Sequence, residues 1–227
     1  GHLDWFVSSI HDPAGGRGGN WGVSGNRLYR GRGDGSFTDA TDAAGIREGF
    51  WGWAAVAADL DDDSHVDLLH VNGYGRFPDY PPARPFVADP TRAFRNRGDG
   101  TFTEAAAAFG LVDDGMGRGL VVADFDRDGD LDVVIANNGA APRLFRNDRS
   151  GPLRHLGIRL RGRGANREAV GARVLLHTGG RTQLREIALG GTYASQGPAE
   201  AHFGLGAAAR AERLEVFWPG GARTVLY

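Results

Sequence analysis

The chain has 227 residues, of which 41% are hydrophobic and 24% charged, and a formal charge of -2. That length holds one or two domains with real hydrophobic cores, and charges of both signs scattered along the chain do not make the concentrated basic face that nucleic acid requires. The sequence contains no cysteine, and all 26 of its basic residues are arginine, which excludes disulfides, thiolate chemistry, cysteine zinc and iron–sulfur sites, a Walker A loop and a Schiff-base lysine. No apolar run approaches the roughly 18 residues of a membrane helix, and no signal-peptide pattern is visible. The 37 glycines and 10 prolines punctuate the chain in the manner of many short strands joined by tight turns.

In chain order, Gly1-His2-Leu3-Asp4-Trp5-Phe6-Val7 reads as the tail of an aspartate loop running into a strand, with Gly1 as the loop glycine. The upstream aspartates of such a loop are absent, so the chain is expected to be a piece of a longer repeat protein. The truncated loop, with Asp4 alone, is not expected to hold a metal. Leu28 to Thr38 contains Gly33-Asp34-Gly35, and Ala93 to Thr103 contains Gly98-Asp99-Gly100 at a distance of 65 residues. Each Gly-Asp-Gly is expected to turn a hairpin, glycine supplying positive φ. Between them, Ala54 to Ala58 is a predicted strand that enters the acidic segment Asp59-Leu-Asp-Asp-Asp-Ser-His-Val-Asp67, and Asp67 to Val71 is the strand that leaves it. Arg92 to Asn96 and Thr101 to Glu104 flank the Arg97–Gly100 turn, and Ala105 to Ala108 is a candidate helical turn. The acidic segment recurs as Asp124-Phe-Asp-Arg-Asp-Gly-Asp-Leu-Asp132, and Asp67 and Asp132 again lie 65 residues apart. Two independent motifs share one period, which identifies an internal repeat. Four short strands in about 65 residues are the size of a propeller blade.

The aspartates point to calcium. Ca2+ takes six to eight oxygen ligands, and carboxylates at alternate positions of a tight loop converge on one point. In the second loop the candidate ligands are Asp124, Asp126, Asp128, the Asp130 carbonyl and Asp132, with Gly129 at the sharp turn. In the first they are Asp59, Asp61, Asp63, the His65 carbonyl and Asp67. There Ser64 takes the place of the glycine, and Asp62 adds a further charge, so weaker binding is expected. Without a cation these charges repel one another. An EF-hand begins with the same D-x-D-x-D-G but needs a glutamate at loop position 12 and a helix on either side. Position 12 is Ile135 in one loop and His70 in the other, and Leu131 to Ala136 reads as a buried strand.

Residues 1–150 resemble the FG-GAP/VCBS repeat family, the blade units of integrin-α-like β-propellers, through the Asp124–Asp132 loop and the two Gly-Asp-Gly hairpins. Residues 151–227 resemble the ASPIC/UnbV domain that follows such repeats in the cartilage acidic protein family. The matching stretches are Gly162 to Val174, Gly190 to Gln196, His202-Phe-Gly-Leu-Gly206 and Leu214 to Gly221. Read from its residues, this half is also β, with predicted strands at Leu156 to Leu160, Ala172 to Leu176, Leu184 to Leu189 and Leu214 to Trp218, and a hairpin turn at Gly179-Gly180. The expected fold is therefore all-β: a partial propeller of about two and a third blades, then a small β-sandwich or barrel. The resemblance implies a secreted or cell-surface, non-catalytic module that binds calcium and engages an extracellular protein or glycan, with cell adhesion among its associations. A rival reading makes the parent a secreted polysaccharide-acting enzyme or a biosynthetic accessory protein.

Other features have plainer readings. Arg32-Gly33-Asp34 spells an integrin-binding tripeptide, but Arg97-Gly98-Asp99 repeats it at the equivalent turn, where hairpin geometry explains it. The seven histidines form no H-E-x-x-H motif; His70 reads as structural, and His202 belongs to the C-terminal motif. Phe50, Trp51 and Trp53 precede an acidic loop and are expected to pack between blades. No G-x-S-x-G nucleophile elbow occurs.

Overall fold

Short runs rich in aliphatic residues, β-branched ones among them, such as Asp67–Asn72 and Asp132–Asn137, set between turn residues, favour short pleated strands over helices. The computed structural model of the protein describes residues 2–12, 24–74, 89–149 and 154–227. Gly1 and the 150/151 domain boundary expected from the sequence lie outside these residues. The first sheet joins β1 (Trp5–Val7), β2 (Arg27–Gly31) and β3 (Phe37–Asp39). A single helical turn, α1 (Thr41–Ala44), follows it. The second sheet is a complete antiparallel meander of β4 (Gly52–Ala58), β5 (Asp67–Asn72), β6 (Arg92–Asn96) and β7 (Phe102–Glu104). The third holds β8 (Gly117–Ala123), β9 (Asp132–Asn137) and β10 (Arg143–Phe145).

The sheets pack face to face like successive blades. β5 is buried along its whole length, so its side chains feed two cores. Leu69 and Val71 meet Leu120, Val133 and Ile135 of the third sheet. Leu68 and Phe94 meet Leu28 and Ile46 on the side of the first. A strand covered on both faces reads as a continuous apolar run, whereas a strand open to water on one side alternates. Of the three buried polar residues of β5, Asp67 and Asn72 stand at the ends and His70 in the interior. His70 lies between Phe6 and Phe94, its Nε2 is 3.1 Å from Asn26 Nδ2, and burial pushes its pKa down to about 4. It is therefore a neutral core residue.

The C-terminal part contains β11 (Arg154–Arg159), β12 (Arg173–Thr178), β13 (Arg181–Glu186), β14 (Glu200–Gly206), β15 (Arg213–Phe217) and β16 (Arg223–Leu226). Four of these form a sheet in the order β13-β12-β15-β16, and β11 pairs with β14 in a second, two-stranded sheet. Val174 and Leu176 from β12 interleave with Ala201, Phe203 and Leu205 from β14 to make the core between them. This is the sandwich alternative of the expected fold; among the described residues no sheet closes into a barrel. At the β12–β13 turn Gly179 and Gly180 have φ of 56° and 74°. Two successive positive φ values are the requirement of the hairpin turn whose twist matches its strands.

Candidate metal centres

Each acidic segment connects two neighbouring strands of one sheet, β4 to β5 and β8 to β9, and the two loops follow the same backbone path. Asp62 and Arg127 have φ of 55° and 64°, and Ser64 and Gly129 have φ of 75° and 104°. Position by position, the 65-residue period carries the hydrogen bonds as well. The Ser64 N–H donates to Asp59 Oδ2 at 3.0 Å, and the Gly129 N–H donates to Asp124 Oδ2 at 3.1 Å. The His65 N–H donates to Asp63 and the Asp130 N–H to Asp128. Serine at a positive φ is strained where glycine is not, so the first loop keeps its shape against a local cost.

The closing aspartates brace these turns. Asp67 accepts the Leu60 N–H on one oxygen (3.1 Å) and the Asn96 N–H on the other (2.8 Å). Asp132 accepts the Phe125 N–H (3.0 Å) and the Asn147 N–H (2.8 Å) in the same way. Asp4 accepts the Gly31 N–H at 2.9 Å, which puts the N-terminal sheet in the same register. The asparagines add a second bond, Asn96 Nδ2 donating to the Val66 carbonyl and Asn147 Nδ2 to the Leu131 carbonyl.

Two clusters result. Carboxylate oxygens of Asp59, Asp61 and Asp67 lie within 4.8 Å of one another, and so do those of Asp124, Asp126 and Asp128. Three oxygens at that separation surround a point that a small cation can reach. Among the other residues singled out from sequence, Asp63 turns aside to the ring of His65 (3.0 Å), and Asp130 lies 3.3 Å from Arg149. Asp132 makes the same two backbone bonds as Asp67 but, unlike Asp67, is not part of its loop's cluster. The His65 side chain is directed at Arg181.

The environments differ sharply. Asp59, Asp61 and Asp67 are buried, whereas Asp126 and Asp128 are exposed and Asp124 is half-buried. Burial, reinforced by the charges of Asp62 and Asp63, pushes the Asp59 carboxyl up to about 7. Burial pushes Asp67 up to about 7 despite its two backbone donors, and burial with the Asp63 charge raises Asp61. Arg95 from β6 reaches Asp61 at 2.5 Å, and Arg146 approaches Asp126 at 3.8 Å.

The donor set fits a hard divalent cation. Asp59 Oδ1, Asp61 Oδ1 and Asp124 Oδ1 are buried oxygens with no hydrogen-bond partner among the described residues. A buried polar atom left unpaired costs about 1–3 kcal/mol, and more when charged. In both loops such an orphaned oxygen belongs to the cluster, where an ion would satisfy it. All the clustered donors are carboxylate oxygens, the ligand type of Ca2+ and Mg2+. A bound divalent ion would supply positive charge at the centre of each turn. Asp59, Asp61 and Asp67 would hold it in the first loop, and Asp124, Asp126 and Asp128 in the second.

Several residues around the clusters escaped the sequence reading: Asn96, Asn147, Arg149, which donates to both Asp62 and Asp130, and Arg185, whose charge lies near Asp59. The tripeptide Phe-Arg-Asn occurs at 94–96 and again at 145–147, and that repetition could have marked the two asparagines. The Arg32-Gly33-Asp34 carboxylate is engaged in its own turn, accepting the Ser36 N–H at 2.9 Å; Asp99 does the same with Thr101. Trp53 packs between β8 and the C-terminal part. Its Nε1–H donates to the Gly73 carbonyl (3.0 Å), the Arg118 guanidinium lies 3.9 Å from its ring, and Tyr193 lies 5.3 Å away.

Comparison with known proteins agrees with this architecture. The model of the FG-GAP-like repeat matches residues 1–70 and 86–135, more than half of the chain, and the model named ASPIC and UnbV matches residues 162–227. The chain is similar to cartilage acidic protein 1 from Homo sapiens (49% identical over 57 residues), Xenopus tropicalis (46%) and Mus musculus (44%). Each of these matches covers 25% of this chain and 9% of the relative. The matched families are not enzymatic in kind. No helix among the described residues is long and apolar enough to cross a membrane. The chain belongs to the FG-GAP-like repeat family and carries an ASPIC/UnbV domain behind its repeats.

Proposed function

We propose that the chain is a calcium-stabilised, non-catalytic interaction module of an extracellular protein, with propeller blades over residues 1–150 and a β-sandwich over residues 151–227. The observation that carries this reading is the set of orphaned carboxylate oxygens, Asp59 Oδ1, Asp61 Oδ1 and Asp124 Oδ1, at the centres of two loops with one backbone path. Calcium is favoured over magnesium because these ligands sit in turns whose spacing is set by backbone hydrogen bonds, and Ca2+ tolerates irregular oxygen shells that Mg2+ does not. The ligands in this reading are Asp59, Asp61, Asp63, the His65 carbonyl and Asp67, and Asp124, Asp126, Asp128, the Asp130 carbonyl and Asp132. The three in each cluster bind first; Asp63 and Asp132 join by exchanging a hydrogen bond for the ion.

The similarity to cartilage acidic protein 1 supports an extracellular setting, where calcium is abundant enough to keep such loops filled. The partner in this reading is an extracellular protein or glycan. Calcium that binds only the folded chain stabilises it by about 2.7 kcal/mol at a hundredfold excess over Kd. Scanning calorimetry with calcium, with magnesium and with chelator tests this: calcium raises the melting temperature well above both other conditions. A melting temperature indifferent to chelator would remove the reading.

A further inference from the structure

The first acidic loop is covered by the C-terminal part of the chain. The Gly206 N–H, at the end of β14, donates to the Asp62 carbonyl at 2.9 Å. His202 Nε2, on the same strand, is 2.6 Å from Asp62 Oδ1, and Arg149 is 2.7 Å from Asp62 Oδ2. Between them Gly204 lies so close that an added Cβ would come within 2.2 Å of Asp59 Oδ2 and 2.5 Å of Asp62 Cα. Arg185 donates to the His202 carbonyl at 3.0 Å, and its charge offsets part of that of Asp59. Asp62 itself is outside the Asp59–Asp61–Asp67 cluster. Its counterpart in the second loop is Arg127, which is exposed. The carboxylate that looks surplus as a ligand is thus the one that meets the C-terminal strand.

We propose that the first loop is both a cation site and the socket for β14, so that loading Asp59, Asp61 and Asp67 and seating β14 form one linked equilibrium. This rests on the reading of the loops as metal sites. Without an ion, and with the carboxylates ionised, Asp59, Asp61, Asp63 and Asp67 repel one another at short range, and the loop relaxes by spreading. The Gly204 contact is made to the Asp62 backbone and to Asp59, so it tolerates little displacement. Once Asp62 moves, the Gly206 and His202 bonds go with it. Linkage is reciprocal: if calcium favours the seated strand, the seated strand favours calcium by the same factor. The second loop has no carboxylate at the Asp62 position and contacts the C-terminal part through His155, which lies over Gly129. That exposed ring, stacked on His202 at 5.4 Å, can shift without moving the loop backbone, so the second site binds calcium with little dependence on docking.

The chain has no cysteine, so spin labels can be placed at two introduced cysteines without background. Arg97→Cys in the β6–β7 turn and Arg167→Cys in the loop before β12 are both exposed positions. Electron–electron distance measurement on this pair is expected to give one narrow distribution in calcium and a broad one in chelator. Gly204→Val broadens the distribution even in calcium and weakens one of two calcium sites at least tenfold, leaving the other unchanged. Asp62→Asn, which adds no bulk, acts in the same direction. Gly157→Val is the control, since an added Cβ on this neighbouring strand meets nothing within 4 Å, and it leaves both readouts as in the parent. A narrow distribution that persists in chelator while both loops bind calcium overturns the linkage and leaves the metal reading standing. A chain that takes up no calcium at all overturns both.

Discussion

The two acidic loops share a backbone and a hydrogen-bond scheme, yet they hold their charge under opposite conditions. Asp59, Asp61 and Asp67 are buried, with β14 lying against Asp59 and Asp62, whereas Asp126 and Asp128 face water. In water, neighbouring carboxylates are screened and each can be solvated; in the first loop neither relief is available. The local sequence therefore sets where ligands converge, and the surrounding fold sets how strongly the turn depends on an ion. The loop with the poorer local pattern, having Ser64 where the other has Gly129, is the one the fold encloses.

The largest expected effect separates bracing from ligation. Asp67→Ala strips the Leu60 and Asn96 N–H groups of their acceptor in a buried setting and costs about 3 kcal/mol, about 10 °C in melting temperature for a chain of this size. Asp132→Ala removes the matching bonds, but Phe125 is 49% exposed and water can replace one of them, so the loss is about half as large. Thermal melts in chelator, where neither residue acts as a ligand, measure both, and equal losses would show that the difference in burial does not matter.

The next effect is one of pH. In chelator, Asp59 and Asp67, both pushed up to about 7 from 3.8, stay protonated in the fold while the unfolded chain ionises. Their contribution is fully present below about pH 4 and is lost as pH rises towards 7, so the metal-free melting temperature falls over that window. In calcium the sign reverses, because protons compete with the ion for the same oxygens. Melts at pH 5, 6, 7 and 8 with and without chelator test this, and parallel curves would contradict it.

A smaller crossing effect is expected from Asp59→Asn at pH 8. It raises stability in chelator by about 1 kcal/mol, since a buried like charge is removed, and it lowers stability in calcium. Asp124→Asn gives only the loss in calcium. Smallest of all, Arg95→Ala and Arg146→Ala remove partly exposed ion pairs and each change stability by less than about 1 kcal/mol.

Much of this organisation was legible in the sequence because it is periodic. Predicted strands at Ala54 to Ala58, Asp67 to Val71 and Arg92 to Asn96 agree with β4, β5 and β6 within two residues, since each is an apolar run closed by acidic or turn residues. The predicted helical turn at Ala105 to Ala108 has its counterpart in bonds from the Phe109 N–H to the Ala105 carbonyl and the Leu111 N–H to the Ala106 carbonyl, and α1 occupies the same position one repeat earlier. β14 went unread as a strand because Gly204 and Gly206 weaken its pattern, and glycine in a strand interior often marks close approach by another backbone. The covering of the first loop by β14 joins residues more than 100 positions apart, such as Asp62 and His202, and no local pattern announces such a contact. For the same reason Asp62 read as one more charge in an acidic run.

The most direct measurement is the calcium stoichiometry of the folded chain by native mass spectrometry. Two ions per chain are expected in the parent, and one in either Asp61→Ala or Asp126→Ala. A parent chain that binds none, or variants that keep both, would contradict the central claim that clustered carboxylates at the two turns hold calcium.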